Sequence, residues 1–373
     1  MLEKQKQEAG DYAQQVQING LTIQNGIDEK RAREIVDEKI HEVVSGYTQE
    51  AREVAEGRIN QFANDLIPKL VKDNLLEALR DPSIQVLLMD AQKSAAATER
   101  PADYTLLAEL LVHRVQGGSD RSVRIGVNHA VKIVDEITDE ALIGLTVTHA
   151  VSHFIPTTGN LREGLNALNN LFGRLFYSVL PDGQEWIEQA EILNAVRISP
   201  LASLKKVEEY YPEILPGYID VGIKKDSENF QKALELIKEN RLPDDLLCEH
   251  ELRHGYVRLR ITNIDTVNSL ELAKLVTLKI GEQDIPIPAK LVLTETQIAT
   301  VKSIYKLYSD DNELKKQNIA EFIRIWDEYE NLKKLGTWWD AIPLCFNITS
   351  VGRVLAQANA QRCDSTLPSI DKN

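Results

Sequence analysis

Three cysteines in 373 residues, Cys248, Cys345 and Cys363, are odd in number, widely spread and never paired as C-x-x-C. That leaves no basis for a disulfide framework or a structural zinc knuckle. Basic residues are also short: 43 Lys and Arg stand against 57 Asp and Glu, for a formal net charge of −14 and a pI near 5.1. A surface that tracks phosphates needs a basic face to displace counterions, so nucleic acid is not the expected partner. Nowhere do about 18 apolar residues run uninterrupted, as a membrane span requires. The opening MLEKQKQEAGDYAQQ has no apolar core of signal-peptide length. The expectation is a cytoplasmic protein with no membrane partner. G-x-x-x-x-G-K-[ST], G-x-G-x-x-G and G-x-S-x-G are missing too, and with them sequence support for a P-loop, a dinucleotide fold or a hydrolase elbow. No cofactor is called for.

What is present is mostly helix. Charged residues at 27% and apolar residues at 43% match a soluble globular chain, long enough for two or three domains. After Gly26, Val36, Ile40, Val43, Tyr47, Ala51 and Val54 recur at steps of four, three, four, four and three, read as a 3.5-residue seam. The pattern slips and resumes through Ile59, Phe62, Leu66 and Leu70. Gly46 and Gly57 weaken the interior and Pro68 bends the far end, so residues 28–73 read as one long coiled helix or two with a soft joint.

Caps and breakers then mark out a bundle over residues 74–200. Asp81-Pro82 opens DPSIQVLLMDAQKSAAAT, Pro101 opens PADYTLLAELLVHRV, QGGSD breaks the chain before RSVRIGVNHAVKIVDEI, and Thr138 caps DEALIGLTVTHAVSHF. Short connections make neighbouring helices antiparallel. Residues 201–293 have a looser, mixed α+β texture, with YVRLRITNI as a strand. KLVTLKIGEQDIPIPAKLVL adds a second strand and an edge, since Pro286 and Pro288 forbid a central one. Over residues 294–373 the order helix, helix, aromatic turn (GTWWDAIP), short strand, helix predicts a winged-helix-like α/β unit. It lacks a basic recognition helix, so protein packing rather than DNA binding is expected of it. The fold class is therefore mainly α.

Ahead of all this, QQVQINGLTIQNGI at 14–27 alternates apolar and polar residues around two Asn-Gly pairs, the strongest short hairpin signal. Val16, Ile18, Leu21 and Ile23 fall at strand spacing, in a hairpin or a fragment of a small β-helix coil. Such a hairpin is marginal alone. Residues 1–27, with the seam residues Val36, Ile40, Val43 and Tyr47, are expected to join copies of the chain. The alternative is a hairpin folded onto its own bundle.

Three strings have the residue types of chemistry. His250, Glu251 and His254 spell H-E-x-x-H, which on a helix would place two imidazoles on one face for zinc and a glutamate to activate water. Arg253, Gly255 and the lack of a third ligand count against it. Arg124 and His129 make R-x-x-x-x-H, which resembles the phosphate-steadying arginine and acid–base histidine of HEPN ribonucleases. His149 and His153 form another i, i+4 pair without a nearby carboxylate or cysteine, read as hydrogen-bonded histidines at a bundle end.

The Q-I-N-G…I-Q-N-G motif before a charged helix, the bundle strings DPSIQVLLMDAQKSAAATERPADYTLLAELLVHRV and AVKIVDEITDEALIGLTV, and the ending WWDAIPLCFNITSVGRVLA together resemble bacterial proteins akin to the Abi-alpha abortive-infection family. The resemblance spans 14–150 and 294–360 and includes no agreed catalytic residue. It implies a setting in antiviral defence. The expected function is a non-enzymatic, self-associating sensor, scaffold or regulator, with itself and another protein of the same system as partners. The alternatives are a HEPN-like ribonuclease, a zinc hydrolase and a winged-helix transcriptional regulator.

Overall fold

The computed structural model of the protein describes residues 14–18, 21–117, 120–269, 271–280 and 283–368. It is mainly helical, with small antiparallel sheets of two or three strands. The chain begins with strands β1 (Gln14–Ile18) and β2 (Leu21–Asn25), then helices α1 (Glu29–Val44), α2 (Gln49–Lys72), α3 (Pro82–Ala97), α4 (Pro101–Gln116), α5 (Arg121–Ile133) and α6 (Asp139–His153). It continues through α7 (Leu161–Leu175), α8 (Glu185–Ile192), β3 (Val196–Ile198), α9 (Val207–Ile214), α10 (Pro216–Ile219), β4 (Ile223–Lys224) and α11 (Glu228–Glu239). Next come β5 (Leu247–Glu249), β6 (Tyr256–Leu259), β7 (Glu271–Ile280) and β8 (Gln283–Val292). The last elements are α12 (Glu295–Tyr305), α13 (Asn312–Trp326), α14 (Glu330–Asp340), β9 (Phe346–Ile348) and α15 (Ser350–Cys363).

Contacts group these elements into two compact units, each discontinuous in sequence. One comprises Met1–His153, Arg174–Ser203 and Ile342–Asn373, the other Phe154–Gly173 and Leu204–Ala341.

In the first unit the helices begin where the sequence supplies caps. The Asp28 carboxylate accepts from the Arg31 amide at 2.8 Å, and that of Asp81 from the Ser83 amide at 2.7 Å, just ahead of Pro82. The expected soft joint is a full break. α1 stops at Val44, and Thr48 caps α2 by accepting from the Ala51 amide at 3.4 Å. Gly57 and Pro68 lie inside α2, which runs on to Lys72. The bundle closes around α15, which packs on α4, α5 and α6 and buries every residue from Val351 to Ala360 except Arg353. Its first turn lies so close to the chain before β3 that a Cβ on Gly352 would sit 2.0 Å from the Ala195 carbonyl oxygen.

The stretch 294–373 therefore does not stay together as the winged-helix expectation would have it. α12–α14 belong to one unit, β9 and α15 to the other. The short strand pairs with β3, in register Val196↔Ile348 to Ile198↔Phe346, and α15, small-sided and buried over most of its length, is a core helix.

In the second unit, β4, β6 and β5 form a three-stranded antiparallel sheet with β6 central. Ile223, Val257 and Leu259 of this sheet are buried with Ala233 and Ile237 of α11 and Val301 and Ile304 of α12. An aromatic group of Tyr211, Phe322, Trp326 and Trp339 is buried beside α9, α13 and α14. The aromatic turn expected at GTWWDAIP is helical through Asp340, and the break falls earlier, between α13 and α14. Two indoles fix that change: Trp326 Nε1 donates to the Leu332 carbonyl and Trp339 Nε1 to the Lys205 carbonyl, both at 2.8 Å. β7 and β8 form a separate two-stranded ribbon.

Candidate functional site

His250, Glu251 and His254 do not lie on a helix. They occupy the turn joining β5 to β6, which Gly255 closes at φ +79°, a conformation that favours glycine. The i, i+4 geometry that would bring two imidazoles onto one ion is absent. His250 is buried, its Nε2 donating to the Asp220 carbonyl at 2.8 Å and its Nδ1 accepting from the Leu252 amide at 3.2 Å. Burial first, and the Arg258 charge with it, lowers its pKa to about 4, so the ring is neutral. His254 is exposed. Among the described residues no group of three or more His, Cys, Asp or Glu could hold a metal ion.

Glu251 has a different partner. Arg258, fully buried on β6, donates to it from Nε at 2.8 Å and Nη2 at 2.9 Å. The other guanidinium donors reach the carbonyls of Gly217 (3.1 Å), Leu259 (3.0 Å) and Gly159 (2.7 Å), and the group lies over the Tyr218 ring at 5.3 Å. The guanidinium has five N–H bonds, and all five are used. Glu251 also accepts from the Leu161 amide at 3.1 Å. Burial raises the Glu251 pKa, but the hydrogen bonds and charge of Arg258 outweigh it and hold the carboxyl below its ordinary value. This arrangement pins loops to a sheet and leaves no base for a water molecule.

Arg124 and His129 share α5, but five positions along a helix separate side chains by roughly 140°, so they do not converge. Arg124 is half-buried beside Asp81 and Arg114, and His129 is exposed. His149 and His153 do meet. Their rings stack with centroids 4.1 Å apart, His149 Nε2 lies 2.9 Å from Gln357 Oε1, and burial followed by the His153 charge lowers the His149 pKa to about 4.

That contact leads to a feature missed in the sequence. α15 presents polar side chains to the bundle interior among its alanines. Asn359 donates to Thr146 Oγ1 at 2.8 Å and Tyr177 Oη at 3.1 Å, and accepts from Arg362 Nε at 2.8 Å. Gln361 bonds the buried His113 ring. Beside that bond a cavity of about 180 Å³ is lined by Lys69, Lys72, Asp73, Glu109, His113 and Gln361, with Lys69 and Glu109 paired at 2.7 Å. Its mixed charges suit a small polar molecule rather than an apolar one. The signal was the i, i+4 row Arg353, Gln357, Gln361, overlooked because it faces histidines on other helices.

The assembly candidates divide. In β1–β2 the register sets Val16 opposite Ile23 and Ile18 opposite Leu21, so all four occupy one face. Val36 and Ile40 are buried within the chain's own packing, Val43 is half-buried, and Tyr47, in the break after α1, is 40% exposed.

Residues 26–368 match a protein-family model described as “:-like”, and the chain belongs to that family. No curated protein and no solved structure matches it. No helix among the described residues is long and apolar enough to cross a membrane.

Proposed function

We propose that the chain is a non-enzymatic, self-associating scaffold or sensor whose copies meet through β1–β2. The observation that carries this reading is the two-stranded sheet itself: five residues per strand, paired only with each other among the described residues. Two such strands are marginally stable in water, and their outer edges offer unpaired backbone groups to a further strand. A second copy of the same hairpin is the partner always at hand. Tyr47, in the break after α1, and Val54, on α2, add exposed apolar side chains to this early part of the chain. The cavity beside His113 and Gln361 supplies a place for a small polar trigger. The Abi-alpha resemblance supplies the setting, antiviral defence in bacteria, with another protein of that system as the recipient of the signal.

The different directions that Arg124 and His129 take from α5, and the turn rather than helix at His250 and His254, count against the ribonuclease and zinc-hydrolase readings. Removal of residues 1–27 followed by light scattering tests the proposal. The expected result is a drop in the number of copies per particle at equal concentration; an unchanged mass overturns it.

A further inference from the structure

The β7–β8 ribbon pairs ten residues with ten, from Glu271↔Val292 to Ile280↔Gln283. Two residues, 281 and 282, connect the strands, so the flanking pair Ile280↔Gln283 is hydrogen-bonded and every second pair after it is as well. Leu278↔Ile285 and Val276↔Ile287 are then bonded pairs. Thr277↔Pro286 and Leu275↔Pro288 are not, and their backbone groups turn outward. Proline has no N–H, so the outer edge of β8 lacks two donors and resists a further strand. The outer edge of β7 keeps a donor and an acceptor at each of Glu271, Ala273, Leu275, Thr277 and Lys279. The register places Leu272, Val276, Leu278, Ile285, Ile287 and Leu291 on one face, together with Lys274 and Gln283. The ribbon thus has a largely apolar face, one edge blocked to a further strand, and one edge that keeps its donors and acceptors.

We infer that β7 pairs antiparallel with β7 of a second copy about a two-fold axis at Leu275, giving a four-stranded sheet in the order β8-β7-β7-β8. The choice of a second copy rests on the sequence of β7, which complements its own reverse. The axis sets Glu271 opposite Lys279 of the second copy twice over, Ala273 opposite Thr277, Leu272 opposite Leu278 and Lys274 opposite Val276, so no like charges meet. Moving the axis to Ala273 or Thr277 leaves both charges without their opposites, so the register is specified. The contact is isologous and closed, and it is separate from the N-terminal hairpin; a chain with both interfaces builds assemblies larger than a dimer.

Charge reversal tests this in the full-length chain. Glu271→Lys alone sets lysine against lysine at two places, and Lys279→Glu alone sets glutamate against glutamate. Each is expected to raise the dissociation constant of this contact about ten-fold or more and so to lower the weight-average particle mass at the parent's midpoint by roughly a quarter. An equimolar mixture of the two variants restores the parent mass, because every reversed charge then meets an opposite one. Thr277→Pro, which removes an outward N–H without touching a β7–β8 bond, also lowers the mass at that concentration. Single variants that keep the parent mass, or a mixture that stays dissociated, overturn the proposal. Removing residues 1–27 leaves these ratios unchanged, so a failure at the N-terminal hairpin and a failure at β7 give different results.

Discussion

Arg258 and Glu251 are joined by two hydrogen bonds of 2.8 and 2.9 Å, and the guanidinium is fully buried while the carboxylate keeps 27% of its surface exposed. This asymmetry decides which partner can be removed cheaply. Glu251→Ala strands a buried cation and is expected to cost about 3–5 kcal/mol in urea unfolding. Arg258→Met leaves a carboxylate that water reaches and costs less. Equal losses from the two variants would refute this account. His254→Ala, at an exposed turn position, is expected to stay within about 0.5 kcal/mol of the parent.

Acid should weaken the fold before the carboxylates titrate. His149 and His250 each have a folded pKa of about 4, below the unfolded value of 6.5. The neutral rings contribute stability that is fully present above pH 6.5 and is lost as pH falls toward 4, because the unfolded chain binds the extra protons. Each histidine contributes a slope of about 1.4 kcal/mol per pH unit inside that window. His149→Gln should remove one proton's worth of slope in chemical denaturation between pH 6.5 and 4. An unchanged slope would show that His149 is protonated in the folded bundle.

Gly352 and Gly57 should respond in opposite directions to alanine. At Gly352 the new methyl would meet the Ala195 carbonyl oxygen at 2.0 Å, so α15 must shift, at roughly 1–3 kcal/mol. At Gly57, inside α2, nothing lies within 4 Å and alanine is the better helix former, for a gain of up to about 1 kcal/mol. Thermal or urea unfolding of the two variants checks the pair. Destabilisation at both would mean that the α2 surface is covered.

Much of the architecture was legible because its signals are local. Asp81-Pro82 and Pro101 announce helix starts through residues at the helix end itself, and the alternation of Val16 to Ile23 around an Asn-Gly pair announces the pairing of β1 with β2. What stayed hidden depends on distant chain. The partner of β9 is β3, about 150 residues earlier in sequence, so helix, helix, strand, helix looked like one unit when it is divided between two. The H-E-x-x-H string misled for the same reason: helical spacing is informative only on a helix, and the pairing of β5 with β6 makes those residues a turn. The polar row on α15 was hidden because its partners, His113 and His149, lie on helices more than 200 residues away in sequence.

Energy transfer between copies labelled separately at the N-terminal amine with donor and acceptor tests most directly where the chains meet. If β1–β2 joins copies, the mixed sample shows strong transfer at the concentration where light scattering finds an oligomer, and excess unlabelled chain abolishes it. An oligomer of full mass that shows no transfer would contradict the account, because its copies would then be held together elsewhere.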